Sequence, residues 1–229
     1  MKTTKNLLAA VALSVGLLSA TGANAALTST LGGQGVYDND LNLTWLANAN
    51  LAVTNAFGVS GINPAGYMNW NTAQSWIGAM NTANYLGYND WRLPTTLQPD
   101  AACGSQSGGI SYGYNCTGSE MGHLFYNELG GVAGSSILAT HNANLALFQN
   151  VQSRDYWSGT EYAPNTYVAW YFSTYNGYQN AGYKTSNMFA LAVRPGQVAA
   201  VPEPETYAML LVGLGLLGFM ARRRKDLTA

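Results

Sequence analysis

Apolar positions along the chain change period several times, and the changes divide it into elements. Val36 and Tyr37, a polar turn through Asp38-Asn39-Asp40, then Leu41, Leu43 and Trp45 on alternate residues predict a hairpin over 34–46. Residues 47–69 are rich in Asn and Gly and read as loop. From Thr72 the period lengthens. Ala73, Trp76, Ile77 and Met80 stand at helical spacing, with Thr72 as the expected N-cap and an end before Gly87. Pro94 forces the segment 89–95 out of helix. A second helix is predicted by Thr117-x-x-Glu120 as a capping box, by Met121, Leu124, Phe125 and Leu129 on one face, and by Gly130 as its stop. The stretch 135–154 has no clear period. Beyond it, 156–161, 167–174 and 187–194 read as strands. The second of these places Val168, Trp170 and Phe172 on one face and Tyr167, Ala169 and Tyr171 on the other; in the third, Phe189, Leu191 and Val193 alternate. Two helices early and antiparallel strands late make the body α+β.

The two ends have a different pattern. Lys2 and Lys5 precede an apolar run from Leu7 to Leu18, and Ala23-Asn24-Ala25 supplies a small-x-small cleavage site. Residues 1–25 are therefore expected to be a signal peptide cut between Ala25 and Ala26, the alternative being an uncleaved anchor. At the other end Val201-Pro202-Glu203-Pro204 precedes an apolar stretch from Tyr207 to Met220, closed by Arg222, Arg223, Arg224 and Lys225. An apolar run ending in basic residues stops in a bilayer with its basic end in the cytoplasm. At 1.5 Å per residue the run spans roughly 21–24 Å, short of a hydrocarbon core of about 30 Å. Gly213, Gly215 and Gly218 weaken it further as a helix. A short transmembrane segment, 207–221, held in the inner membrane transiently and then processed, fits that length better than a permanent anchor. Pro202 and Pro204 keep the preceding segment extended.

Within 26–200 there are eight acids and four bases, a balance of about −4 that disfavours nucleic acid and other polyanions. All six tryptophans and fourteen of fifteen tyrosines lie there, among many Asn, Ser, Thr and Gly. Such a composition suits a carbohydrate-binding face, with rings stacking on sugars and amides bonding hydroxyls. It equally suits an aromatic core. Cys103 and Cys116 are the only cysteines, and an even pair in an exported chain reads as a disulfide rather than a thiol active site.

The tail resembles a PEP-CTERM sorting signal, carried by the Val201–Pro204 block, the Gly/Leu-rich span and the Arg-rich end. That resemblance implies processing by an exosortase and association with an exopolysaccharide or biofilm matrix. The blocks NLTWLANAN, MNWNTAQSWIGAMN, YNDWRLPT, YWSGTEYAPNTYVAWYF and ALAVRPG resemble the Lcl C-terminal-domain family, over most of residues 36–196. This second resemblance implies a C-type-lectin-like, sulfatase-modifying-factor-like fold whose N- and C-terminal strands pair, and an adhesive role. The adhesin domain of that family is associated with sulfated glycosaminoglycans. The acidic body here departs from that pattern, which favours a neutral polysaccharide or a protein contact.

Catalytic and metal chemistry find less support. Asp38-Asn39-Asp40-x-Asn42 has alternate oxygen ligands but lacks the glycine and the final Glu of a calcium loop, so turn chemistry explains it better. His123 and His141 have no metal-type neighbours in sequence, and no metal or other cofactor is expected. Arg92 reads as an architectural ion pair or a stacked guanidinium, and Glu161 as a partner for Arg92 or Arg194. The leading expectation is a non-enzymatic surface or matrix protein whose domain binds extracellular polysaccharide or matrix proteins through Tyr112, Tyr114, Tyr162, Tyr175 and Tyr178. The alternatives are a polysaccharide hydrolase using Glu120 or Glu161, with Glu128 also available, and a purely structural matrix component.

Overall fold

The computed structural model describes residues 27–196; the expected signal peptide, the sorting motif, the apolar segment 207–221 and the basic cluster lie outside them. Three strands open the described chain: β1 (Leu27–Thr30), β2 (Gly35–Asp38) and β3 (Leu43–Leu46). β2 and β3 are the predicted hairpin, while β1, which lacks a long apolar alternation, was not anticipated. The sheet is completed from the far end of the domain by β9 (Val193–Pro195), giving the order β1-β2-β3-β9, with Trp45 opposite Val193. The pairing of the domain's two ends follows the expectation drawn from the family resemblance.

Every residue of β2 and β3 is buried, so the centre of this sheet is covered on both faces. Thr44 tolerates this because its hydroxyl donates to the Gly196 carbonyl at 2.7 Å. Asp38 closes the hairpin: its Oδ1 accepts from the Asp40 and Leu41 amides, and its Oδ2 accepts from the Trp45 indole at 3.2 Å. The carboxylate thus makes the turn bonds that its sequence context suggested.

The first helix, α1 (Trp70–Thr82), buries Trp70, Ala73, Trp76, Ile77 and Met80. Its N-cap is Asn69 rather than Thr72: the Asn69 side chain accepts from the Thr72 amide at 2.9 Å. Asn69 has the extended backbone a cap requires, whereas Thr72 already lies within the first turn.

The Asp90-Trp91-Arg92-Leu93-Pro94 segment runs between the terminal sheet and the second helix. Arg92 exchanges backbone hydrogen bonds with Val193 and sends a bidentate pair to Glu120 at 2.8 and 2.7 Å. Glu120 also accepts from the Thr95 amide at 2.7 Å. This corrects the capping box, because the carboxylate expected to turn back to Thr117 is drawn to Arg92. The helix itself, α2 (Glu120–His123), widens at once into a π turn over Leu124–Glu128, with the Leu129 amide reaching the Leu124 carbonyl. Its expected apolar face, Met121, Leu124, Phe125 and Leu129, is buried, and Gly130 ends it at φ +71.

The chain between these helices holds the Cys103–Cys116 disulfide and a small hairpin, β4 (Ser105–Ser107) and β5 (Ile110–Tyr112). The third sheet, β6 (Asp155–Glu161), β7 (Val168–Ser173) and β8 (Tyr178–Tyr183), is antiparallel in sequence order. β8 was not anticipated, since Tyr-Gln-Asn-Ala-Gly-Tyr has no β-branched residue. The predicted strand 187–194 is mostly not a ladder. Met188 bridges Met68, Phe189 bridges Tyr156, and only Val193 onward joins a sheet.

All six tryptophans are buried, as an aromatic core requires. Five find an acceptor for the indole N–H: Trp45 on Asp38, and Trp70, Trp76, Trp91 and Trp157 on the backbone carbonyls of Ser158, Asn55, Tyr85 and Met68. Among the described residues only Trp170 finds none.

Candidate ligand-contact site

Trp170 lies in the middle of β7, and its surroundings are assembled from three parts of the chain. The β4–β5 hairpin is tied to the edge strand β8 by reciprocal backbone bonds between Gly113 and Gln179, at 2.9 and 2.8 Å. Behind it the disulfide closes the loop, and the Asp100 carboxylate accepts from the Ala102 and Gly118 amides. Together these anchors hold Tyr112 beside β7. From the other side, the turn after β6 brings Tyr162 edge-on to Trp170 at 5.5 Å between ring centres. The result is a cleft of about 410 Å³ lined by Ser107, Ile110, Tyr112, Tyr162, Trp170 and Asn180, with other residues of β7 and β8.

The same β6–β7 turn builds a second hollow. Asn165, Thr166 and Tyr167 from the turn meet Tyr183 and Lys184 from the end of β8, and Asn71 from α1, around about 520 Å³. Tyr167 and Tyr183 are 78% and 66% exposed, values that a core role does not explain. Lys184 is fixed there by an ion pair with Glu161 and by its position 4.3 Å above the Trp70 ring. Glu161 therefore pairs with Lys184 and not with Arg92 or Arg194. Arg92 is taken by Glu120, and Arg194 by Asp90 and the Tyr88 ring.

The five tyrosines expected to contact ligand divide into three groups. Tyr112 and Tyr162 share the first cleft. Tyr114 and Tyr178 pack edge to face at 4.9 Å, each ring serving the other. Tyr175 stands alone in the β7–β8 turn, 61% exposed. Tyr167 and Tyr183 were missed. Tyr167 had been read only as a strand residue, and Tyr183 belongs to the unanticipated β8. The Asn176-Gly177 pair, with Gly177 at φ +79, was the local signal for that last hairpin.

Each of the three glutamates considered for catalysis has a basic partner close by. Glu120 is held by Arg92, Glu161 by Lys184, and Glu128 by His123, in three separate pairs. Burial and the neighbouring Asp38 carboxylate push Glu128 up from the ordinary carboxylate range, and His123 offsets this only in part. His123, without metal-type neighbours in sequence, thus has two in space.

A family model for the Lcl C-terminal domain matches residues 34–194, from β2 into β9. The chain belongs to the Lcl C-terminal domain family. Both clefts lie within that Lcl C-terminal domain, and β1 precedes the matched span. The PEP-CTERM protein-sorting motif matches residues 200–225, a range that includes Val201–Pro204 and Arg222–Lys225. This motif implies processing by an exosortase, export, and a cell-surface or extracellular location. A comparison with curated proteins returns no match. Among the described residues no helix is long and apolar enough to cross a membrane.

Proposed function

We propose that the domain is a non-catalytic, lectin-like contact module of the extracellular matrix, binding neutral polysaccharide through the tyrosine-lined clefts around β7 and β8. The observation that carries this reading is the first cleft. Tyr112 and Tyr162 offer ring faces, Asn180 offers amide chemistry, and Trp170 has an indole N–H with no acceptor among the described residues. The exposed Tyr167 and Tyr183 extend the same chemistry across the β6–β7 turn.

Charge supports a neutral ligand. Three of the four basic side chains of the body, those of Arg92, Lys184 and Arg194, are neutralised by carboxylates, leaving little for sulfate or phosphate. Exosortase processing of the tail accords with delivery of such a module to the producer's own matrix, where adhesion and biofilm cohesion are the roles that polysaccharide binding would serve.

The test is titration of the full-length protein against the producer's exopolysaccharide, at two salt concentrations. Binding should be nearly salt-independent and should fall at least about tenfold in Tyr112→Ala/Tyr162→Ala, since each lost stacking contact is worth roughly 1 kcal/mol or more. Unchanged binding in that double variant would reject the cleft. Absence of any polysaccharide binding would leave the protein as a structural matrix component.

A further inference from the structure

The π turn after α2 has a consequence unrelated to the clefts. In a regular α-helix residues five apart point in different directions, because successive side chains are 100° apart. The widening over Leu124–Glu128 instead places Glu128 beneath His123, with His123 Nε2 and Glu128 Oε1 3.2 Å apart. The β2–β3 hairpin brings Asp38 to the same point. Ligand-type atoms of Asp38, His123 and Glu128 all lie within 4.8 Å of one another, and all three residues are buried.

Two buried carboxylates face one imidazole here: Glu128 bonds it directly, while Asp38 stands nearby, held by the Asp40 and Leu41 amides and the Trp45 indole. The Oε2 atom of Glu128 has no hydrogen-bond partner although the residue is only 2% exposed. An orphaned carboxylate oxygen in that position is costly, and a cation would satisfy it. The opposite edge of the ring is also prepared. His123 Nδ1 lies 3.3 Å from the Asn127 amide, which by turning over presents its oxygen to an Nδ1–H and frees Nε2 as a ligand.

We propose that Asp38, His123 and Glu128 form a divalent transition-metal site, with Zn²⁺ the best-suited ion. One imidazole nitrogen and two carboxylate oxygens are borderline ligands that suit Zn²⁺ and discriminate against Ca²⁺, which prefers oxygen alone. Ligands on a tetrahedral Zn²⁺ stand about 3.4 Å apart, so the His123–Glu128 edge at 3.2 Å nearly has the required length, and Asp38, within 4.8 Å, closes the remainder. The burial of all three residues makes the role structural, clamping the β2–β3 hairpin onto the π turn.

The experiment uses tag-free, full-length protein stripped with chelator. Zn²⁺ is added while the imidazole resonances are followed, and the chain has only two histidines. One equivalent of Zn²⁺ should shift His123, leave His141 in place and raise the melting temperature by several degrees, whereas Ca²⁺ should do neither. Glu128→Gln should weaken Zn²⁺ binding by about 10–100-fold. A folded, stripped protein whose His123 resonance ignores Zn²⁺ overturns the site and leaves a plain hydrogen-bonded pair. So does binding that shifts only His141, and both readouts come from the wild-type chain whether or not the variant folds.

Discussion

In the terminal sheet all eight residues of β2 and β3 are buried, while in the third sheet the edge strand β8 buries only Gln179 and ends on the exposed Tyr183. Both sheets are antiparallel, and both present aromatic rings. The difference lies in what covers them. In the terminal sheet β2 and β3 are enclosed on both faces, and its one carboxylate, Asp38, holds a turn and an indole. The third sheet buries Tyr156, Trp157, Trp170 and Phe172, but its edge strand β8 is met only by a small disulfide-braced hairpin, and Tyr183 at its end meets solvent. On the proposed reading, β2 and β3 serve stability and the exposed edge of the third sheet serves contact.

If that division holds, substitutions should separate in size along it. The largest effect belongs to the enclosed side. Trp45→Ala removes a fully buried ring and the indole donor to Asp38, and should cost about 3–5 kcal/mol in denaturant unfolding. A cost below about 1 kcal/mol would contradict a closed terminal sheet. Next comes the brace between the two regions. Cys103→Ser/Cys116→Ser reopens a short loop and should cost about 2–3 kcal/mol, and it should also weaken polysaccharide binding because Tyr112 loses its anchor. Retained affinity in that variant would show that the hairpin holds its position without the bridge.

The ion pairs sharpen the comparison further. Arg92→Ala breaks a bidentate, partly buried pair to Glu120 and should cost about 1–2 kcal/mol by calorimetry. Lys184→Ala breaks a pair whose Glu161 side is half exposed, so about 0–1 kcal/mol is expected. The smallest effect on stability belongs to the open side. Tyr167→Ala and Tyr183→Ala should each change unfolding by no more than about 0.5 kcal/mol while reducing polysaccharide binding. A large loss of stability from either would assign these rings to packing.

Much of the enclosed side was legible. Helical spacing located the buried face of α1, and the apolar positions of α2 were all found, because burial of a stripe writes a period into the sequence. Caps were misjudged in both helices. The choice between Asn69 and Thr72, and the fate of Glu120, depend on which partner comes within reach, and Arg92 is brought there by the chain's pairing with β9. The third sheet was half legible. β7 carries alternation and β6 has the aromatic pair Tyr156-Trp157, but β8 is held by its register with β7 and carries almost no pattern of its own.

The clefts and the buried cluster were harder to read. Tyr112, Tyr162 and Trp170 come from three elements, and Asp38, His123 and Glu128 from a hairpin and a π turn, so no window of sequence contains either set. By itself the sequence determined the α+β class, the family, the disulfide and the sorting address. Those depend on local periods, motifs and chain ends, which survive without folding. Which tyrosines stay in solvent, which carboxylate meets which base, and how His123 acquires two acidic neighbours were decided only by the tertiary structure. Those outcomes arise from contacts between distant segments, and their energies exist only once the segments are packed.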